Sequence, residues 1–396
     1  MSQPTPAATP ASPSAPSIAV DLPPHLLPRD GRFGSGPSKI RPAQLDALTA
    51  ASSWLGTSHR QAPVKRVVAD LRVGLADFFG LPDGYEIVLG NGGASAFWDV
   101  ATACLVRRRA QHVVVGEFSS KFAQATAAAP FLQDPQVRRA EPGSACAPQV
   151  LDDGAQVDVY AWPHNETSTG VMLEVQRVAD AGDALMLVDG TSGAGGLAVD
   201  LREVDAYYFA PQKCFGSDGG LWLAALSPAA IDRAQEIAAR HGEEARWIPG
   251  ILDLPAAIEN SRKDQTLNTP ALATLLLMLE QVRWLNDNGG MAWAAARCAE
   301  SAGILYDWAQ ASDYAEPFVR SEAARSHVVA TIDIADSLDA TAITAALRGH
   351  GIVDLEPYRK LGRNQLRIGV YPSVEPDDVR ALTRCIDAVA DALRAH

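Results

Sequence analysis

Short β-prone apolar runs alternate with helical segments along the first two thirds of the chain, and this alternation restricts the possible folds most. Residues 86–89, 112–115, 157–161, 184–188, 204–210 and 220–226 read as short buried strands. Val64, Val67, Val68, Leu71 and Leu75 mark one face of a helix over 63–79, and 96–107 reads as another, apolar helix. Strands separated by helices give a mostly parallel sheet covered on both faces, so the fold class is α/β. In such sheets ligands bind beyond the carboxyl ends of the strands. A long helix over 270–286 leads into a part of different character, with strands at 328–334 and 365–370 and a helix at 339–350. The last helix opens at Glu375-Pro376-Asp377-Asp378, where proline and acids are start signals, and its apolar face is Val379, Leu382, Ile386, Val389 and Leu393. A chain of 396 residues exceeds one simple core. The expected division is a disordered Pro/Ala-rich tail over 1–28, a large domain over 29–286 and a smaller α+β domain over 287–396.

Charge and cysteine usage remove several classes of function. The net charge is −13, which disfavours nucleic acid or an anionic membrane as partner. No apolar stretch is long enough to span a bilayer, and the first twenty residues lack the basic start and apolar core of a signal peptide. Cys104, Cys146, Cys214, Cys298 and Cys385 are scattered, with neither metal-ligand nor redox-pair spacing. A cytoplasmic protein without a metal site is the expectation.

Polar residues cluster where the apolar runs stop. Lys213 lies in Pro211-Gln212-Lys213-Cys214, just after the run 204–210, and Asp189 ends the run 184–188. A lysine and an acid at neighbouring strand ends suit pyridoxal phosphate. The lysine holds the cofactor as a Schiff base, and the acid keeps the pyridine nitrogen protonated. Gly92-Gly93-Ala94-Ser95 separates a strand from a helix, an arrangement that lets backbone N–H groups approach a phosphate. His164-Asn165-Glu166-Thr167-Ser168-Thr169-Gly170 follows another strand and reads either as a capped polar turn or as a donor to the cofactor ring through Thr167.

The order Gly-Gly, Asn-Glu-Thr, Asp-Gly-Thr-Ser, Gln-Lys resembles the class V aminotransferases of fold type I, the PLP-dependent transferase fold. More narrowly it resembles the phosphoserine aminotransferase family in its actinobacterial form. Phe33-Gly34-Ser35-Gly36-Pro37, Ser58-His59-Arg60, Asn268-Thr269-Pro270 and Leu366-Arg367-Ile368-Gly369 add to the likeness, which runs from about residue 30 to the end. The resemblance implies that Lys213 carries pyridoxal 5'-phosphate and moves the substrate proton, with Asp189 on the ring nitrogen and Thr167 on the ring hydroxyl. Phe118 would stack on the ring. Gly93, Ala94 and Gln212 would hold the cofactor phosphate, reached by Asn268 and Thr269 from the other subunit of a homodimer. His59 and Arg60 would receive a substrate phosphate across that interface, and Arg367 would grip the α-carboxylate, a bidentate task that lysine performs poorly. The implied substrates are L-glutamate and 3-phosphohydroxypyruvate, with a phosphorylated vitamin B6 precursor used by some relatives. The chain departs from enterobacterial relatives in two places. Tyr358-Arg359-Lys360 and Arg363 stand where those have a His-Arg pair, and Phe118 stands for their tryptophan. Alternatives are a class V enzyme for unphosphorylated substrates and a cofactor-binding protein without catalysis.

Overall fold

A computed structural model describes residues 20–151, 156–242 and 245–395. Among the described residues there are twelve strands: β1 Glu86–Asn91, β2 Ala110–Val114, β3 Gln136–Arg139, β4 Val159–Pro163, β5 Asn165–Glu166, β6 Val171–Met172, β7 Leu185–Asp189, β8 Ala206–Phe209, β9 Leu221–Leu226, β10 Ala315–Pro317, β11 Val329–Ile334 and β12 Gln365–Gly369. Seven of them make one sheet in the order β1-β9-β8-β7-β4-β2-β3. The β8–β7, β7–β4, β4–β2 and β2–β3 pairs are parallel, whereas β9 runs antiparallel to both β8 and β1. Six strands therefore point one way, and their carboxyl ends share one edge of the sheet.

Except at the edge strand β3, both faces of that sheet are covered, which explains the unbroken apolar runs. Leu89, Val113, Trp162, Val188, Tyr207 and Leu223 pack on one face with the helices Ala62–Phe79 and Leu272–Asp287. Val88, Ala161, Leu187, Tyr208 and Trp222 pack on the other with the helices Ala94–Cys104, Pro228–Ala238 and Leu254–Arg262. Successive strand residues point to opposite faces, so a strand covered on both sides carries apolar residues at every position. The helix Ala62–Phe79 ends on Gly80 in the left-handed conformation (φ 56°), a standard helix stop.

Strands β5 and β6 pair antiparallel with each other, and β10, β11 and β12 form a second antiparallel sheet. Ile332, Leu366 and Ile368 from it share a core with the helices Gly290–Ala311, Ala340–Arg348 and Pro376–Arg394. Leu22 and Phe33 join this core, the Gly369 N–H donates to Phe33 O (2.7 Å), and the Arg29 N–H donates to Asp378 Oδ1 (2.8 Å). Residues 20–33 thus pack with the C-terminal sheet, which differs from the expected split between a tail and a large domain. The rest of that tail, residues 1–19, lies outside the described residues. The helix Glu117–Ala127 and the strand β3 also differ from the sequence reading, which had neither.

Candidate active site

Asp189 is the last residue of β7 and sits opposite Tyr208 of β8. Its carboxylate is buried and fully engaged. Trp98 Nε1 (3.0 Å) and the Tyr208 hydroxyl (3.1 Å) donate to Oδ2, and the Thr191 N–H (2.8 Å) donates to Oδ1. Burial still pushes the carboxyl above its ordinary range, against the pull of those donors. A positive partner would relieve that penalty. Trp98 and Tyr208 were invisible as site residues in the sequence, since each reads as an apolar core position.

Lys213 follows β8 by a few residues and reaches the amino-terminal segment. Its Nζ donates to Ser35 O (2.8 Å), a carbonyl that also accepts from the Tyr371 hydroxyl (2.7 Å). A side chain at Gly36 would place its Cβ 1.9 Å from Nζ, so the amine rests in room that only glycine leaves. Burial, reinforced by the Arg367 charge, lowers the amine from 10.5 to about 8. At neutral pH about one Lys213 in ten is then uncharged and nucleophilic, far more than for an ordinary lysine.

Arg367 lies on β12 and projects from the smaller sheet toward the Thr167 turn, where Nη1 donates to Thr167 O at 3.4 Å. Its guanidinium lies 5.4 Å from the Tyr358 ring centroid, and that ring is 5.8 Å from Phe118. Arg367 Nε is buried without a partner, as are Asn165 Oδ1, Thr191 Oγ1 and Gln212 Oε1. Ser35, Gly36, Tyr358, Arg359, Lys360 and Arg367 line a cavity of about 820 Å³. Thr167 donates to Ser192 Oγ (2.8 Å), which also accepts from Asn165 Nδ2 (2.9 Å). Lys360 pairs with Glu117, beside Phe118.

The helix Ala94–Cys104 starts directly after Gly93, and no side chain caps its first N–H groups. Asn91, the last residue of β1, ties this turn to a second group. It accepts from the Asn268 N–H (3.3 Å) and donates to Thr269 O (3.1 Å), while Thr269 Oγ1 meets His59 Nδ1 at 3.2 Å. His59 Nε2 is buried without a partner, and Arg60 is exposed. No hydrogen bond or ion pair among the described residues joins His59, Arg60, Asn268 or Thr269 to Lys213 or Arg367 in one chain.

The family model for aminotransferase class-V matches residues 33–379. The chain belongs to the class-V aminotransferases. A phosphoserine aminotransferase from Nocardioides sp. is 60% identical over 378 residues, covering 95% of this chain and 99% of that one. Among solved structures, a phosphoserine aminotransferase from Cytophaga hutchinsonii superposes with a TM-score of 0.80 at 21% identity, over 90% and 99% of the two chains. An alanine–glyoxylate aminotransferase from Nostoc sp. gives 0.75 at 20% identity, over 94% and 98%. These two likenesses establish the fold, the type I fold of PLP-dependent transferases, and not the substrate. Pyridoxal phosphate is the cofactor of this aminotransferase. The residues fit it: a partly buried lysine of lowered basicity, a buried carboxylate that lacks a cation, and unpartnered polar atoms in the segments around them.

Proposed function

We propose that this enzyme is a phosphoserine aminotransferase, interconverting L-glutamate and 3-phosphohydroxypyruvate with 2-oxoglutarate and O-phospho-L-serine. The observation that carries the reading is the 60% identity with the Nocardioides enzyme along nearly the whole of both chains. Bound pyridoxal phosphate supplies an electron sink for the pair left on the substrate α-carbon. The protein's own residues do the rest. Lys213 would hold the cofactor covalently, and as a free amine it would take the proton from the substrate α-carbon and deliver it to the cofactor.

Asp189 holds a positive charge at the ring nitrogen, fixed by its three donors. Thr167 and Phe118 contact the ring, and Arg367 takes the α-carboxylate through its unpartnered face. Gly93, Ala94 and Gln212 hold the cofactor phosphate at the uncapped end of the helix Ala94–Cys104. The alternative helix end at Glu117 is unsuited, because its first N–H groups already donate to Ser168 and Glu166.

The active unit is a homodimer in which His59, Arg60, Asn268 and Thr269 serve the partner's site. In support of this, no hydrogen bond among the described residues joins them to Lys213 within one chain, and Leu55 and Trp247 are exposed (42% and 85%). We place the enzyme in the cytoplasm, in keeping with its five free cysteines. Among the described residues no helix is long and apolar enough to cross a membrane. The deciding experiment is a single turnover of the pyridoxamine-loaded enzyme with 3-phosphohydroxypyruvate or pyruvate. Faster return of the visible cofactor band with the phosphorylated acid is expected. Equal return with pyruvate would move the enzyme to an unphosphorylated substrate.

A further inference from the structure

Glu166 stands at the centre of the Asn165-Glu166-Thr167 turn. It is fully buried (0% exposed), and its bonds come from N–H and O–H donors on two segments rather than from a cation. Oε2 accepts from Ser119 N (2.9 Å) and Ser119 Oγ (2.7 Å). Oε1 accepts from Phe118 N (3.3 Å), Ser168 N (3.2 Å) and Ser168 Oγ (2.6 Å). Ser168 Oγ accepts in turn from the Glu117 N–H (3.0 Å), and the Ser120 N–H donates to Gly116 O (3.2 Å). All four N–H groups of this helix's first turn are therefore satisfied, three of them through Glu166 and Ser168. The approach is close: a Cβ on Gly116 would lie 2.4 Å from Glu166 Cγ and 2.5 Å from Ser168 Oγ.

We propose that Glu166 is a positioning residue for the cofactor site, locking the helix that carries Phe118 to the turn that carries Thr167. Ring-face and ring-edge contacts then move as one rigid unit. The inference rests on the reading that Phe118 and Thr167 contact the cofactor. An isolated acid at a helix end would serve as a cap and nothing more. Here the same carboxylate also binds Ser168, the neighbour of Thr167, so it fixes one contact relative to the other.

Glu166→Gln tests this, because an amide NH₂ at either oxygen position must face a backbone N–H of Phe118, Ser168 or Ser119. Titration of the apoprotein with pyridoxal phosphate should show a Kd about tenfold higher or more, as expected when about 1.4 kcal/mol of buried hydrogen bonding is lost. The visible circular dichroism per bound cofactor should change, with kcat lowered and the glutamate KM within about twofold of wild type. Ser119→Ala and Ser168→Ala remove single hydroxyls and keep the test alive if Glu166→Gln fails to fold; each should shift Kd and dichroism in the same direction. Unchanged cofactor Kd and dichroism in these variants, with loss of thermal stability only, would overturn the proposal. Phe118→Leu and Thr167→Val separate the two layers. If they leave cofactor binding unchanged, the underlying reading falls and the inference with it. If they weaken it while the Glu166 and serine variants do not, the inference alone falls.

Discussion

Asp189→Asn measures how much of the cofactor's hold depends on one carboxylate. In the wild type, two donors converge on Oδ2 and one on Oδ1. An asparagine oxygen can face Thr191 N–H or the Trp98–Tyr208 pair, but not both. Its NH₂ then opposes the Thr191 N–H in one orientation and Trp98 Nε1–H in the other, while Tyr208 can turn its hydroxyl to accept. At least one buried donor is left unsatisfied, a cost of about 1–3 kcal/mol to the apoprotein. Part of this is offset, because the variant no longer buries a carboxylate that burial disfavours. The larger loss appears on binding the cofactor, where removing one member of a buried charge pair costs about 3–5 kcal/mol. The cofactor Kd should therefore rise roughly a hundredfold to several thousandfold. The assay is a titration of apoprotein followed by visible absorbance and by the rise in Tm on cofactor binding. The pH dependence has a definite sign. The folded value is raised, so the stability Asp189 contributes to the apoprotein is present at acid pH and lost as pH rises through that value. The apo wild type should thus hold its greatest advantage over Asp189→Asn in acid and lose it as the pH rises. Wild-type cofactor affinity in the variant at pH 7 would refute the charge-pairing argument.

Three further outcomes follow from the same geometry. Lys213 has a lowered folded value, so its contribution is present above 10.5 and lost as pH falls through about 8. The apo stability of wild type relative to Lys213→Met should rise between those pH values, and a flat difference in chemical denaturation would count against it. Arg367→Lys keeps the charge but loses the fork and the stacking on Tyr358. The glutamate KM should rise roughly ten- to hundredfold for about 1.5–3 kcal/mol of lost charge-assisted bonding, and an unchanged KM would remove Arg367 from carboxylate binding. Gly36→Ala puts a Cβ where the amine now lies, at a backbone φ of +135°. Borohydride trapping and peptide mass spectrometry should find Lys213 unlabelled by cofactor, whereas stoichiometric labelling would show that the amine needs no such room.

The sequence made the parallel strands legible because each is buried on both faces and so carries an unbroken apolar run. It could not reveal direction: 221–226 looks like its neighbours, yet β9 runs against them. The strand β3 went unread because Val137 is its only apolar residue, and at the sheet edge the side carrying Val137 and Arg139 meets solvent. Lys213 and Asp189 stood out as polar residues ending apolar runs. Their partners did not. Trp98 reaches Asp189 from a helix that precedes it by many strands, and Lys213 meets Ser35 O near the start of the chain, a carbonyl shared with Tyr371 from near its end. Such contacts arise from sheet order and packing, and local spacing carries no trace of them. Glu166 was passed over for another reason. An acid in a polar turn reads as solvated until the burial of the helix beside it is known.

The edge position of β1 bears on how the protein reaches its working state. Within the large sheet β1 pairs with β9 alone, joining Glu86 to Leu226 and Asn91 to Leu221. A strand made early in synthesis must therefore wait for one made much later, and closing so long a loop makes this pairing slow. The turn after β1 begins the helix assigned to the cofactor phosphate, so that corner is seated only once β9 is in place. Refolding followed by cofactor capture should then lag behind refolding followed by helix content.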